Sequence, residues 1–221
     1  MTFKKTKMKL SNFWPVFINK LILKKIRYII WDFDGTLWQS NQLGYKLKLQ
    51  FIKYLSNHLS KPITEAEFDK LIKSNYNWSQ NLAQITKIPE LNIVDKIDST
   101  FNKTKFLKKN SKIIKFVYQF SNQKHIILSN SSHGQLIAGL KKIGFPQRQN
   151  QILPFEKIIS RDTFNLLKPS QKLFKYINQY TGAKKQQHLV IGDSYNNDIN
   201  PAKKYGFNAI HINNFKKKFS L

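Results

Sequence analysis

Two aspartates two residues apart, Asp32 and Asp34, close the apolar run Ile29-Ile30-Trp31, and Gly35-Thr36-Leu37 follows at once. The run reads as a buried strand, and residues two apart on a strand face the same side. Both acids would therefore face whatever sits at the strand's carboxyl end. Two crowded carboxylates repel, and a bound cation or a catalytic task is the usual offset. A carboxylate in that setting can attack phosphorus and form an acyl phosphate. Oxygen ligands of this kind suit Mg²⁺, which keeps several of its waters.

The acids stand out because they are scarce. There are 12 Asp plus Glu against 38 Lys plus Arg, a formal charge of +26. Four of the twelve, Asp32, Asp34, Asp193 and Asp198, fall in strand-end settings. Lysines number 35 and arginines 3, spread along the whole chain. That spread is the mark of AT-rich coding; a dedicated nucleic-acid surface more often uses Arg for bidentate contacts. Dedicated nucleic-acid binding is disfavoured, although a charge of this size attracts polyanions at low salt. The chain has no cysteine, which excludes disulfides and thiolate metal sites. No apolar stretch approaches the ~20 residues of a membrane span.

The 221 residues fit one substantial domain, or a core with a small insert. Residues 1–24 hold no acid and read as a basic extension. An organellar presequence there is the alternative, and the lack of Arg in the extension counts against it. The expected location is cytoplasmic. The first strand spans Tyr28–Trp31. Residues 41–108 read as all-helical: Leu43, Leu47, Phe51, Leu55 and Leu59 recur at a helical period, and Thr64 to Glu67 forms a capping box. Beyond the insert, helix and strand alternate. Helices are expected over Ser111–Phe120, Ser132–Ile143 and Ser170–Tyr180, with another from Pro201 to Gly206. Strands are expected over His125–Leu128, Lys157–Ile159, Leu189–Ile191 and Asn208–Ile212. The tail with Lys216, Lys217 and Lys218 reads as a solvated end. Such alternation implies a parallel sheet covered on both faces. Reactive groups then gather at the carboxyl ends of the strands, where Asp32, Ser129, Asp193 and Lys168 fall.

Four motifs in order carry a resemblance: Asp32-Phe33-Asp34-Gly35-Thr36-Leu37, Ile126-Ile127-Leu128-Ser129-Asn130, Lys168 before Pro169, and Gly192-Asp193 through Asp198-Ile199. The chain resembles the haloacid dehalogenase superfamily, in the helical-cap, phosphoglycolate phosphatase-like branch. That likeness implies an α/β, Rossmann-like three-layer core with a parallel sheet and a small all-helical cap inserted after the first strand. The core would comprise 25–40 and 109–221, the cap 41–108. It implies Asp32 as nucleophile, Asp34 as general acid and base, and Lys168 as the cation offsetting charge on Asp32 and the phosphoryl group. Gly35, Ser129, Asn130 and Lys168 would bind the phosphoryl oxygens. Asp32, the Asp34 carbonyl, Asp193 and Asp198 would hold Mg²⁺.

The implied activity is a Mg²⁺-dependent phosphatase acting on a small phosphorylated metabolite. Halide removal is disfavoured, since that branch lacks a carboxylate at the position of Asp34. A sugar-phosphate mutase uses the same residues, and a non-catalytic basic nucleic-acid binder on this scaffold is the rival of another class. Where the family often has an acid after the motif, this chain has Gln39, which bears on substrate class. His133 and His188 read as local hydrogen-bonders. Trp38 reads as core packing or as a lining of the site entrance. The sequence assigns no substrate identity and no oligomeric state.

Overall fold

The run Tyr28–Trp31 is buried at every position and forms the middle strand of a five-stranded parallel sheet. The computed structural model describes residues 20–72 and 78–219. In chain order the main elements begin with α1 (Lys20–Lys25), β1 (Tyr28–Trp31), α2 (Asn41–His58), α3 (Glu65–Leu71), α4 (Trp78–Thr86) and α5 (Glu90–Thr100). They continue with α6 (Ser111–Tyr118), β2 (Lys124–Leu128), α7 (His133–Ile143), β3 (Gln147–Arg148), β4 (Gln151–Ile152) and β5 (Phe155–Ile159). The last are α8 (Gln171–Thr181), β6 (His188–Gly192), α9 (Asn200–Tyr205), β7 (Asn208–His211) and α10 (Ile212–Phe219). The sheet order is β5-β2-β1-β6-β7. Trp31 pairs with Ile127 on one side and Ile191 on the other, so the ends of β1, β2 and β6 lie level.

Alternation along β1 divides the core in two. Ile29 and Trp31 join one buried cluster with Phe116 of α6, Leu140 of α7 and Phe215 of α10. Tyr28 and Ile30 join the other, with Phe174 of α8 and Ala202 of α9. Helices thus cover both faces, which is why β1 can be buried at every position. Helices α2 to α5 surround a third cluster of their own, built from Phe51, Leu55, Phe68, Leu82, Ile93 and Ile97. The Thr64–Glu67 capping box opens α3 as its sequence predicts.

Three local expectations change. The lysine-rich tail is the amphipathic helix α10, with Phe215 buried and Phe219 packed against the core. Its apolar positions are spaced for one helix face, which the lysines between them obscure. The two-residue strands β3 and β4 form a small antiparallel ladder too short for a periodicity to reveal. The edge strand β5 begins at Phe155, two residues before its expected start. The basic extension lies outside the described residues as far as residue 19, and so does the part of the helical insert over 73–77. No helix of the described residues is long and apolar enough to cross a membrane.

Candidate active site

The level ends of β1, β2, β5 and β6 bring four loops together. Asp32 follows β1, and its backbone N–H still donates to Ile191 O (2.9 Å), so the strand holds the residue firmly. Its carboxyl group is buried and doubly bonded. Lys168 Nζ donates to Oδ1 at 2.6 Å, and Thr36 Oγ1 donates to Oδ2 at 2.9 Å. The turn after it is closed by Leu37 N to Phe33 O (3.0 Å) and by Gln39 Nε2 to Gly35 O (2.7 Å). Gln39 therefore braces the motif where the family often has an acid. Gly35 sits at φ +82°, and a Cβ there would strike the Asp193 carboxyl group. Only glycine meets both demands.

Loop 192–199 supplies the other acids. Ile199 N donates to Ser194 O (3.1 Å), an i→i+5 bond that widens the turn and turns Asp198 inward. Asp198 Oδ1 accepts Lys168 Nζ at 2.6 Å, and Oδ2 accepts Ser194 N at 3.1 Å. A side chain at Gly192 would occupy the place of the Asp198 carboxyl group. Asp32, Asp193 and Asp198 each offer one carboxylate oxygen, all within 4.8 Å of one another. Three hard oxygen donors at this spacing fit a divalent cation such as Mg²⁺. With Lys168 as the one cation between Asp32 and Asp198, the cluster keeps surplus negative charge.

The electrostatics follow. Burial raises the Asp32 carboxyl well above its usual range; Lys168 opposes this, and Asp198, Asp193 and Asp34 add to it. Asp193 lies at the rim with its carboxyl turned toward Gly35. Loss of water around that carboxyl and the Asp198 charge lift it to about 6. Burial alone would lower Lys168, but Asp198 and Asp32 outweigh it and raise the ammonium above its ordinary value.

Loop 129–131 follows β2. Ser129 N donates to Ile159 O (3.0 Å), and Ser129 Oγ accepts Ser131 N (3.1 Å). Asn130 acts through its side chain: Oδ1 accepts Lys168 N (2.7 Å) and Nδ2 donates to Lys168 O (3.2 Å). This two-bond brace fixes the loop that carries Lys168. All sequence-expected residues, Asp32, Asp34, Gly35, Ser129, Asn130, Lys168, Asp193 and Asp198, belong to these four connected loops.

Three further residues join them without any sequence signal. Lys103 Nζ donates to both oxygens of Asp34 at 2.7 Å, and Ser131 Oγ makes short hydrogen bonds to Lys103 and Asp34. Arg161, 3% exposed, binds Asp95 (2.8 Å) and Asp98 (2.5 Å) of α5 and also the carbonyl of Asn130 (3.2 Å). That guanidinium joins the helical insert to the site. Lysine and serine are common in the chain, and nothing in the spacing marks Arg161, so only contact identifies the three. Trp38 is buried beside Phe33, ring centroids 6.1 Å apart, a packing role. His188 bonds locally to Thr181 Oγ1 (2.8 Å) and Lys184 O (3.1 Å).

Solved structures of similar fold share little sequence. CbbY from Rhodobacter sphaeroides, in complex with xylulose-1,5-bisphosphate, matches with a TM-score of 0.60 at 17% identity, over 84% of this chain and 85% of that one. A variant HAD-family enzyme from Bacteroides thetaiotaomicron, in complex with magnesium and inorganic phosphate, matches with a TM-score of 0.51 at 15% identity, over 84% and 93%. L-2-haloacid dehalogenase from Xanthobacter autotrophicus, with chloropropionic acid covalently bound, matches with a TM-score of 0.50 at 16% identity, over 83% and 76%. Comparison with curated proteins gave no match. Residues 29–212 match the sequence profile of the haloacid dehalogenase-like hydrolases, and that span runs from β1 to the start of α10. The protein belongs to the haloacid dehalogenase-like hydrolase family.

Proposed function

We propose that this hydrolase is a Mg²⁺-dependent phosphatase that acts on a small phosphorylated metabolite through a phospho-aspartyl intermediate on Asp32. The observation that carries the reading is the placement of Asp32: a buried carboxyl group on Lys168, with the oxygens of Asp193 and Asp198 beside it. Asp32, Asp193 and the Asp34 carbonyl would hold the ion, with Asp198 direct or through water. When bound, the ion neutralises charge shared between the nucleophile and the phosphoryl oxygens. The magnesium and phosphate of the Bacteroides enzyme are in keeping with this donor set.

The chain's own groups divide the work. An Asp32 oxygen bonds to phosphorus as the phosphorus–alkoxide bond breaks, and Asp34 protonates the departing oxygen. Water then attacks the phosphorus of the acyl phosphate, its proton passes to Asp34, and Asp32 is regenerated. Lys168 offsets charge on Asp32 and the moving phosphoryl group. Ser129, accepting from Ser131 N, keeps its own O–H to donate. The backbone N–H groups of Gly35 and Asn130 complete the cradle. The helices of 41–108 act as a cap, tied down by Arg161 on Asp95 and Asp98. A seated cap excludes bulk water from the intermediate.

The test is phosphate release from p-nitrophenyl phosphate with Mg²⁺ and with EDTA. Turnover is expected only with the ion, and Asp32→Asn should fall by at least about 10³-fold, as loss of a nucleophile does. Equal rates for wild type and Asp32→Asn would overturn the assignment.

A further inference from the structure

Asp34 meets its cation from a segment nearly seventy positions further along the chain. Lys103 opens a single 3₁₀ turn (Lys103–Phe106) where the chain leaves α5 and returns to the core. Asn102 Oδ1 caps that turn, accepting Thr104 N at 3.0 Å and Thr104 Oγ1 at 2.7 Å. Gln135 Nε2 on α7 fixes the preceding chain by donating to Asp98 O (3.1 Å) and Phe101 O (3.2 Å). The Lys103 ammonium lies 5.6 Å from the centre of the Phe33 ring. The lysine is therefore held at its backbone and at its ammonium.

We propose that Lys103, assisted by Ser131, positions the Asp34 carboxyl group for proton transfer to the leaving group. The inference rests on the acid–base role given to Asp34 in the phosphatase reading. An ammonium has three N–H bonds. Here they meet Asp34 Oδ1, Asp34 Oδ2 and Ser131 Oγ, so none is left for a substrate anion. Lys103 is thereby a positioning residue rather than a substrate ligand. Exposure points the same way: the lysine side chain is 10% exposed and the Asp34 side chain 40%, so the pair is closed behind and open in front.

The two oxygens of Asp34 are not equivalent. Oδ2 accepts from Lys103 and from Ser131, which fills both its lone pairs. Oδ1 accepts from Lys103 alone and keeps one lone pair. Oδ1 is then the oxygen with room to take up a proton and hand it over. As the phosphorus–oxygen bond breaks, its electron pair goes to the leaving oxygen, which takes the Oδ1 proton. Asp34 is left as a carboxylate, and its new charge forms against the ammonium already beside it.

The test is leaving-group sensitivity, which a structural role would not change. With Mg²⁺ present, kcat/KM is measured for p-nitrophenyl phosphate, whose phenolate leaves readily unprotonated, and for phenyl phosphate, whose leaving group needs the proton more. Lys103→Met should lower kcat/KM for phenyl phosphate by about tenfold or more beyond any loss for p-nitrophenyl phosphate, a part of the roughly 10²–10⁴-fold that a general acid contributes. Ser131→Ala leaves Lys103 in place and should shift the same ratio in the same direction by less, so the test survives poor folding of the lysine variant. An unchanged ratio in both variants, whether both esters lose equally or neither does, overturns the inference while wild-type turnover leaves the phosphatase reading standing. A wild type that hydrolyses neither ester overturns that reading, and this inference with it.

Discussion

Replacing Lys168 with methionine should expose how much charge the lysine holds in check within the acidic cluster. Lys168 Nζ lies 2.6 Å from both Asp32 Oδ1 and Asp198 Oδ1, and the three side chains are 5%, 7% and 2% exposed. Methionine fills similar volume but leaves two buried carboxyl groups without their cation. Removing one partner of a buried pair costs about 3–5 kcal/mol. At about 2–4 °C per kcal/mol for a chain of this length, the metal-free variant should melt roughly 10 °C below wild type. Circular dichroism melts in EDTA read this directly.

Two further outcomes carry a sign. Mg²⁺ should narrow the gap, because a cation bound between the same carboxylates replaces part of the lost charge. Adding Asp198→Asn to Lys168→Met should recover stability, since one unpaired acid disappears; the two changes would then be non-additive. A Lys168→Met melt within about 2 °C of wild type in EDTA would refute the electrostatic account.

Other perturbations test other parts of the molecule. Gly35→Ala places a side chain at φ +82° against the Asp193 carboxyl group, so Mg²⁺ affinity, measured by calorimetry, should fall at least about tenfold. Arg161→Met should loosen the insert: with Asp95 and Asp98 released, amide hydrogen exchange across 90–100 should quicken while β1 and β6 keep their protection. His125 gives a pH dependence. Burial holds its imidazole near 4 against an ordinary 6.5, and the neutral ring accepts Trp31 Nε1–H at 3.0 Å. A folded-state value below the unfolded one means full stability above about 6.5, lost as pH falls toward 4. The difference corresponds to about 3 kcal/mol. Urea titrations at pH 7 and 4.5 should show that loss, and His125→Leu should flatten the slope; an equal slope in the variant would count against the buried neutral ring.

Much of the site is legible along the chain because its parts are local. An apolar run closing on Asp32 and Asp34 declares a strand end, since alternation and burial act over neighbouring residues. Gly35 and Gly192 are small where a carboxyl group lies close, Asp193 and Asp198 share one turn, and the capping box from Thr64 to Glu67 needs four residues only. The resemblance of four ordered motifs supplied Lys168, which its own type would not have marked among 35 lysines.

What remained hidden depends on distance in sequence. Lys103 is an ordinary lysine until the chain leaving α5 sets its ammonium on Asp34. Arg161 is the one arginine of three that is buried among the described residues, and only packing shows that its guanidinium joins α5 to the Asn130 carbonyl. Asn130 stands out in sequence only through its motif, and packing alone shows that its side chain also locks the Lys168 loop. Residue type and spacing determine which chemistry is present and which strand ends carry it. Which lysine meets which carboxylate is decided by tertiary packing, because a charge finds its partner across space.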